Sequence, residues 1–112
     1  MLTFQLCVYN LSGCVVDTVE MVTQTFGNEI TWTLGDCSGG PYSNSQTVTE
    51  ECCLNEGTYT LECIDSFGDG WHGATITIDD TSYCGDFSSG SSQSETVVID
   101  NLGNTLACAM WM

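Results

Sequence analysis

Residues 57–80, GTYTLECIDSFGDGWHGATITIDD, carry the pattern on which the rest of the chain is built. Tyr59, Leu61 and Cys63 alternate with Thr60 and Glu62. A period of two marks a half-buried strand, because successive side chains of an extended backbone point to opposite faces. Ser66-Phe67-Gly68-Asp69-Gly70 then interrupts the pattern with turn chemistry, its glycines free to take positive φ. Ala74, Ile76 and Ile78 resume the alternation against threonines. The segment predicts two strands joined as a hairpin.

The same grammar extends outward. Residues 15–26 are rich in Val and Thr without a helical stripe, Gly27-Asn28 interrupts, and Ile30, Trp32 and Leu34 alternate with Thr31 and Thr33, which predicts another hairpin. Leu2, Phe4, Leu6 and Val8 alternate in a strand at the N-terminal end. Residues 36–45 hold the only Pro and read as a long loop, residues 88–94 read as a Gly/Ser loop, and 97–99 and 106–112 close the chain. No segment combines helical periodicity with caps. The expectation is an all-β domain of about eight to ten short strands, an antiparallel, disulfide-stabilised β-sandwich of jelly-roll or CUB-like type. It covers residues 1–112 as one domain, with terminal strands at 1–9 and 105–112. A faint echo links Phe26-Gly27-Asn28-Glu29 to Phe67-Gly68-Asp69-Gly70; two hairpins sharing turn chemistry account for it more simply than a duplicated unit.

Charge excludes several partners. The 112 residues hold no Lys and no Arg against 15 Asp plus Glu, a formal charge of −15 with His72 neutral. Phosphate recognition needs cations, so nucleic-acid binding is excluded, and anionic membrane surfaces repel such a chain. With 42% apolar residues and only 13% charged, the composition is that of a folded module rather than an acidic disordered tail. No run approaches the length of about 18 apolar residues that membrane insertion requires.

The eight cysteines, Cys7, Cys14, Cys37, Cys52, Cys53, Cys63, Cys84 and Cys108, lack the repeated C-x2-C pairs of zinc sites. An even number at irregular spacing reads as a disulfide framework and a secreted or cell-surface setting. Eight thiols allow about 105 pairings. Putative strand neighbours suggest Cys63 with Cys84 and Cys37 with Cys52 or Cys53, leaving Cys7, Cys14 and Cys108 to tie down the ends or link chains. Met1-Leu2-Thr3-Phe4-Gln5 shows no signal-peptide pattern, so the chain reads as a mature fragment or one unit of a longer precursor.

Cys53-Leu54-x-x-Gly57-x-Tyr59-Thr60-Leu61, running into Ile64-Asp65-Ser66-Phe67-Gly68-Asp69-Gly70-Trp71-His72-Gly73, resembles a recurrent extracellular module with the signature C-L-x-x-G-x-Y-T-x-x-x-x-D-S-Y-G-D-G-W-N-G. Its upstream E-x-x-W-x-L is matched by Glu29, Trp32 and Leu34. The likeness spans about residues 19–100, with Phe67 for the usual Tyr and His72 for the usual Asn. That module occurs in secreted and surface proteins of microalgae, other protists and marine bacteria. The resemblance implies a β-sandwich and an extracellular address, and no catalytic activity.

Within this loop, Asp65 and Asp69 with backbone carbonyls are candidate Ca2+ ligands, calcium being a hard cation that prefers oxygen. No cofactor is required for such a fold; calcium is the one to consider. An EF-hand is excluded, since Phe67 and Ile76 stand where a carboxylate and a Glu belong. The competing reading makes the loop structural, its aspartates bonding backbone amides. Asp79, Asp80 and Asp86 are further ligands if the strands bring them near. His72 is the sole His, sits in a turn and has no free thiol expected beside it, so a Cys-His or Ser-His pair is not expected and the chain reads as a non-enzyme. For glycan stacking the candidates are Trp32, Trp71, Trp111, Tyr42, Tyr59 and Tyr83, with Tyr42 in the Gly-Pro loop the best exposed platform.

Leu106-Ala107-Cys108-Ala109-Met110-Trp111-Met112 is apolar on both faces and calls for burial on both sides. Together with Leu2, Phe4, Leu6 and Val8 it exposes edges unless the domain itself or a second copy covers them. Asn10-Leu11-Ser12 is a glycosylation sequon in a turn. The expectation is a structural subunit of an extracellular filament or cell-surface coat whose partner is itself. The alternative is a calcium-assisted carbohydrate-binding or adhesion module.

Overall fold

A computed structural model describes residues 14–100. The terminal strands, Cys7, Cys108 and the Asn10 sequon lie outside the described residues.

Among the described residues eight strands follow one another: β1 (Cys14–Val22), β2 (Ile30–Leu34), β3 (Cys37–Gly39), β4 (Thr47–Asn55), β5 (Gly57–Asp65), β6 (Thr75–Ile78), β7 (Thr81–Tyr83) and β8 (Ser92–Ile99). A single 3-10 turn, Gly27–Glu29, precedes β2. The strands form two antiparallel four-stranded sheets, β4-β1-β6-β7 and β3-β2-β5-β8. The alternation read from the sequence is what joins them. Val15, Val19 and Met21 of β1 with Ile76 and Ile78 of β6 form one inner face; Ile30, Trp32 and Leu34 of β2, Leu61 and Cys63 of β5, and Val97 and Ile99 of β8 form the other. All are buried, in one continuous cluster, which is the packing of a disulfide-stabilised all-β sandwich.

Neither predicted hairpin forms. β1 pairs with β6, from Val19↔Ile78 to Val22↔Thr75, and β2 pairs with β5, from Ile30↔Asp65 to Leu34↔Leu61. Each Phe-Gly segment is instead an arch that carries the chain from one sheet to the other. Strand-turn-strand periodicity states that two strands follow one another and says nothing about whether they exchange hydrogen bonds. Packed sheets lie about 10 Å apart, a gap that connections as long as 23–29 and 66–74 can span and a two-residue turn cannot. The true hairpin in this region is β6–β7, whose turn residues Asp79 and Asp80 have φ of 47° and 76°, the left-handed pair that right-twisted strands require. One further strand lies where a loop was expected: β3 falls within 36–45.

Among the described residues the disulfides are Cys14–Cys53, Cys37–Cys52 and Cys63–Cys84. The Cys63–Cys84 expectation holds, and Cys37 takes Cys52. Adjacent residues on a strand point to opposite faces, so Cys52 turns inward (3% exposed) to reach β3 of the other sheet. Cys53 turns outward and is left for Cys14 on the neighbouring strand β1. Cys14 therefore does not tie down an end or link chains; it staples β1 to β4. Two bridges clamp sheet to sheet, and the third braces one sheet from outside. Bridges of this kind belong to a non-reducing compartment.

Candidate functional site at the junction of the two arches

Because β1 pairs with β6 and β2 with β5, the two Phe-Gly arches come together at one end of the sandwich. Ser66 N–H donates to the Glu29 carbonyl at 3.0 Å, and the Phe26 and His72 rings lie 4.8 Å apart. Gly27 has no room for a side chain, since a Cβ there would run into the Ser43 carbonyl. This close approach seats the 3-10 turn so that Glu29 faces the second arch.

Asp65, at the end of β5, organises that second arch. It is 1% exposed, and its carboxylate accepts N–H bonds from Phe67 at 3.3 Å and from Asp69. Burial pushes this carboxyl up, but the amides of Asp69, Phe67 and Gly70 outweigh it and hold Asp65 below its ordinary range. The structural role of the loop aspartate is thus in place. Trp71 fills the space beneath, buried, with its indole N–H on the Ile64 carbonyl at 2.9 Å and its ring 5.9 Å from Phe87.

Over this base stand Glu29, Asp69 and His72. One donor atom from each lies within 4.8 Å of the others, and His72 Nε2 is 3.2 Å from Asp69 Oδ2. Half-buried Glu29 has its carboxyl raised, first by burial, then by a hydrogen bond to Asp65 and the charges of Asp69 and Asp65, with His72 acting in the opposite sense. Glu29 Oε1 and Asp69 Oδ1 are buried without a hydrogen-bond partner. Of the two expected calcium ligands, Asp69 is in this group, and Asp65 lies behind it with its oxygens engaged by backbone amides. Asp79 and Asp80 sit in the β6–β7 turn, and Asp86 accepts a bond from Gln93 at 2.9 Å; none joins the group. Sequence reading singled out neither Glu29 nor His72 as a ligand. The echo between the two Phe-Gly segments was the available signal, since the two segments lie together at one end of the sandwich.

Of the aromatic candidates, the two tryptophans lie where their strand positions suggest and the tyrosines are less free than an exposed platform requires. Trp32 and Trp71 are core residues. Tyr42 is half-buried against the core, where its hydroxyl accepts from Trp32 Nε1 at 2.8 Å and donates to Glu50 at 3.3 Å. Tyr59 and Tyr83 also pack against the core, and Trp111 lies outside the described residues. The aromatic surface that is exposed belongs to the arches: Phe67 is 74% exposed and Phe26 49%.

A second group lies along the same sandwich. Asp17 of β1 points inward, 1% exposed, with Oδ2 unpartnered. Burial, a hydrogen bond with Asp79 and the charges of Asp79 and Asp100 push its carboxyl up to about 7. Asp79 is fixed by the Thr18 N–H, which donates to its Oδ1 at 3.0 Å.

Compared with known proteins, the chain matches no family model, no curated protein and no solved structure.

Proposed function

We propose that this domain is a structural subunit of an extracellular filament or cell-surface coat, assembling by edge-strand pairing and burial of its apolar terminal strands. The observation that carries the reading is the length of two sheet edges. β4, of 9 residues, and β8, of 8 residues, are edge strands of opposite sheets. Among the described residues neither has a strand partner on its outer side. Long edges are templates for pairing with another chain, and β8 also exposes Val98 at 64%. Contacts between unlike edges that do not close on themselves propagate into a filament. Three bridges keep each unit rigid enough to be repeated, and an oxidising, extracellular address with glycosylation at Asn10 fits the same role. β4 carries Glu50 and Glu51 and β8 carries Glu95, so like-charged edges meet only when salt screens them. Negative-stain imaging of native, non-reduced material tests this: regular filaments at about 0.15 M salt that disperse at low ionic strength are expected. Single particles at every salt concentration would overturn the assembly reading.

A second reading, a cation-assisted glycan-binding or adhesion module, is favoured by the exposed Phe26 and Phe67 rings beside the arch carboxylates. Phe67→Ala should then abolish retention on immobilised polysaccharide while leaving the thermal unfolding temperature unchanged; equal retention of the variant would exclude it.

A further inference from the structure

We propose that Glu29, Asp69 and His72 form a binding site for a single first-row divalent metal ion of the zinc class, with Asp65 holding the arch that carries Asp69 and His72. The inference is independent of how copies of the chain associate.

Three observations carry it. The donor atoms of the three side chains already lie within 4.8 Å of one another. Metal–ligand bonds of about 2.0–2.2 Å hold tetrahedral donors about 3.5 Å apart, so the group must close by up to about 1.3 Å, within the reach of side-chain rotation. Next, Glu29 Oε1 and Asp69 Oδ1 are buried oxygen atoms with no partner, and burying a carboxylate oxygen unmatched is expensive. Most proteins match such oxygens with Lys or Arg. This chain contains neither, so apart from His72 it has no cationic side chain to offer them, and a metal ion from solution would fill that role. Finally, the group includes an imidazole. Calcium takes six to eight oxygen ligands, whereas one nitrogen with two carboxylates suits zinc and its neighbours. That distinction moves the metal assignment away from calcium on Asp65 and Asp69.

The site is also built in depth. Asp65 accepts the loop amides of Phe67 and Asp69, which fixes the arch that carries the Asp69 and His72 ligands. Asp69 and His72 keep 41% and 29% of their side chains exposed, so an ion has an entry path, and three protein ligands leave a position for water or an external donor.

The test uses the whole chain with disulfides intact, stripped with EDTA and desalted. Calorimetric titration with Zn2+ is run in about 0.15 M NaCl with excess Mg2+, which occupies weak surface carboxylates; Co2+ serves as a visible-spectrum reporter and Ca2+ as comparator. One equivalent of Zn2+ should bind, with Ca2+ at least about a hundredfold weaker. His72→Ala and Glu29→Gln should each weaken Zn2+ at least about tenfold, and Glu51→Gln, on the outer face of β4, should change nothing. The Co2+ complex of the parent should show a ligand-field spectrum that His72→Ala lacks, a readout that does not depend on affinity. Circular dichroism confirms that each variant is folded. Zn2+ binding unchanged by His72→Ala, the absence of stoichiometric binding by the parent, or Ca2+ binding tighter than Zn2+ would each overturn the proposal.

Discussion

Replacing Asp17 with Asn should remove a pH dependence that this one buried carboxyl imposes on the whole fold. In the folded chain Asp17 is pushed up from 3.8 to about 7 by burial and by Asp79 and Asp100. Below about pH 4 the group is protonated in both folded and unfolded chains, and its stabilising effect is fully present. As pH rises toward 7 the unfolded chain releases the proton while the folded chain must keep it, so stability falls. Above 7 the folded carboxyl ionises as well, and the loss is complete. At 1.36 kcal/mol per unit, the shift from 3.8 to about 7 amounts to at most about 4 kcal/mol; relaxation around the charge reduces it to roughly 2–4 kcal/mol. Asn cannot ionise, yet its amide can donate to Asp79 as the protonated carboxyl does. The other acidic groups repel one another equally in both proteins, and their contribution cancels in the difference. Urea unfolding followed by tryptophan fluorescence, at pH steps from 4 to 8 with disulfides intact, measures it. The stability of Asp17→Asn relative to the parent should rise by roughly 2–4 kcal/mol across that range. Parallel curves for the two proteins would refute the reasoning, because they would mean that Asp17 ionises alike in the folded and unfolded chains.

Two further substitutions probe the frame. Gly70 has φ of 84°, and a Cβ there would stand 2.6 Å from the Phe87 carbonyl oxygen; Gly70→Ala should cost roughly 2–4 kcal/mol in urea unfolding, and a cost below about 0.5 kcal/mol would contradict the packing of that arch. Removing the Cys63–Cys84 bridge, whose ends are 21 residues apart, by the double change to Ala should lower stability by about 3 kcal/mol. A variant as stable as the parent would show that the sheets do not depend on this clamp.

The strands themselves were legible because burial of one face of an extended chain leaves a period of two, and Ile30-Thr31-Trp32-Thr33-Leu34 writes that period without interruption. β4 was not, since TVTEECCLN lies at an edge with most of its side chains exposed and carries no apolar alternation in its first half. The disulfides divide along the same line. Cys63 and Cys84 followed from strand neighbourhood, whereas the choice between Cys52 and Cys53 needed to know which face of β4 turns toward β3.

Composition and local pattern were enough for an anionic, disulfide-bonded, all-β domain, because charge count, thiol parity and side-chain alternation are properties of the chain read in order. Which strands share a sheet is a property of distance in space. Two Phe-Gly segments that read as hairpins are arches, and that difference brings Glu29 from the first arch to Asp69 and His72 of the second, with Glu29 and Asp69 separated by 40 residues of sequence. A site assembled from two connections is absent from either one alone. The group exists because the β1–β6 and β2–β5 pairings, closed over a common core, bring both arches to the same end of the sandwich.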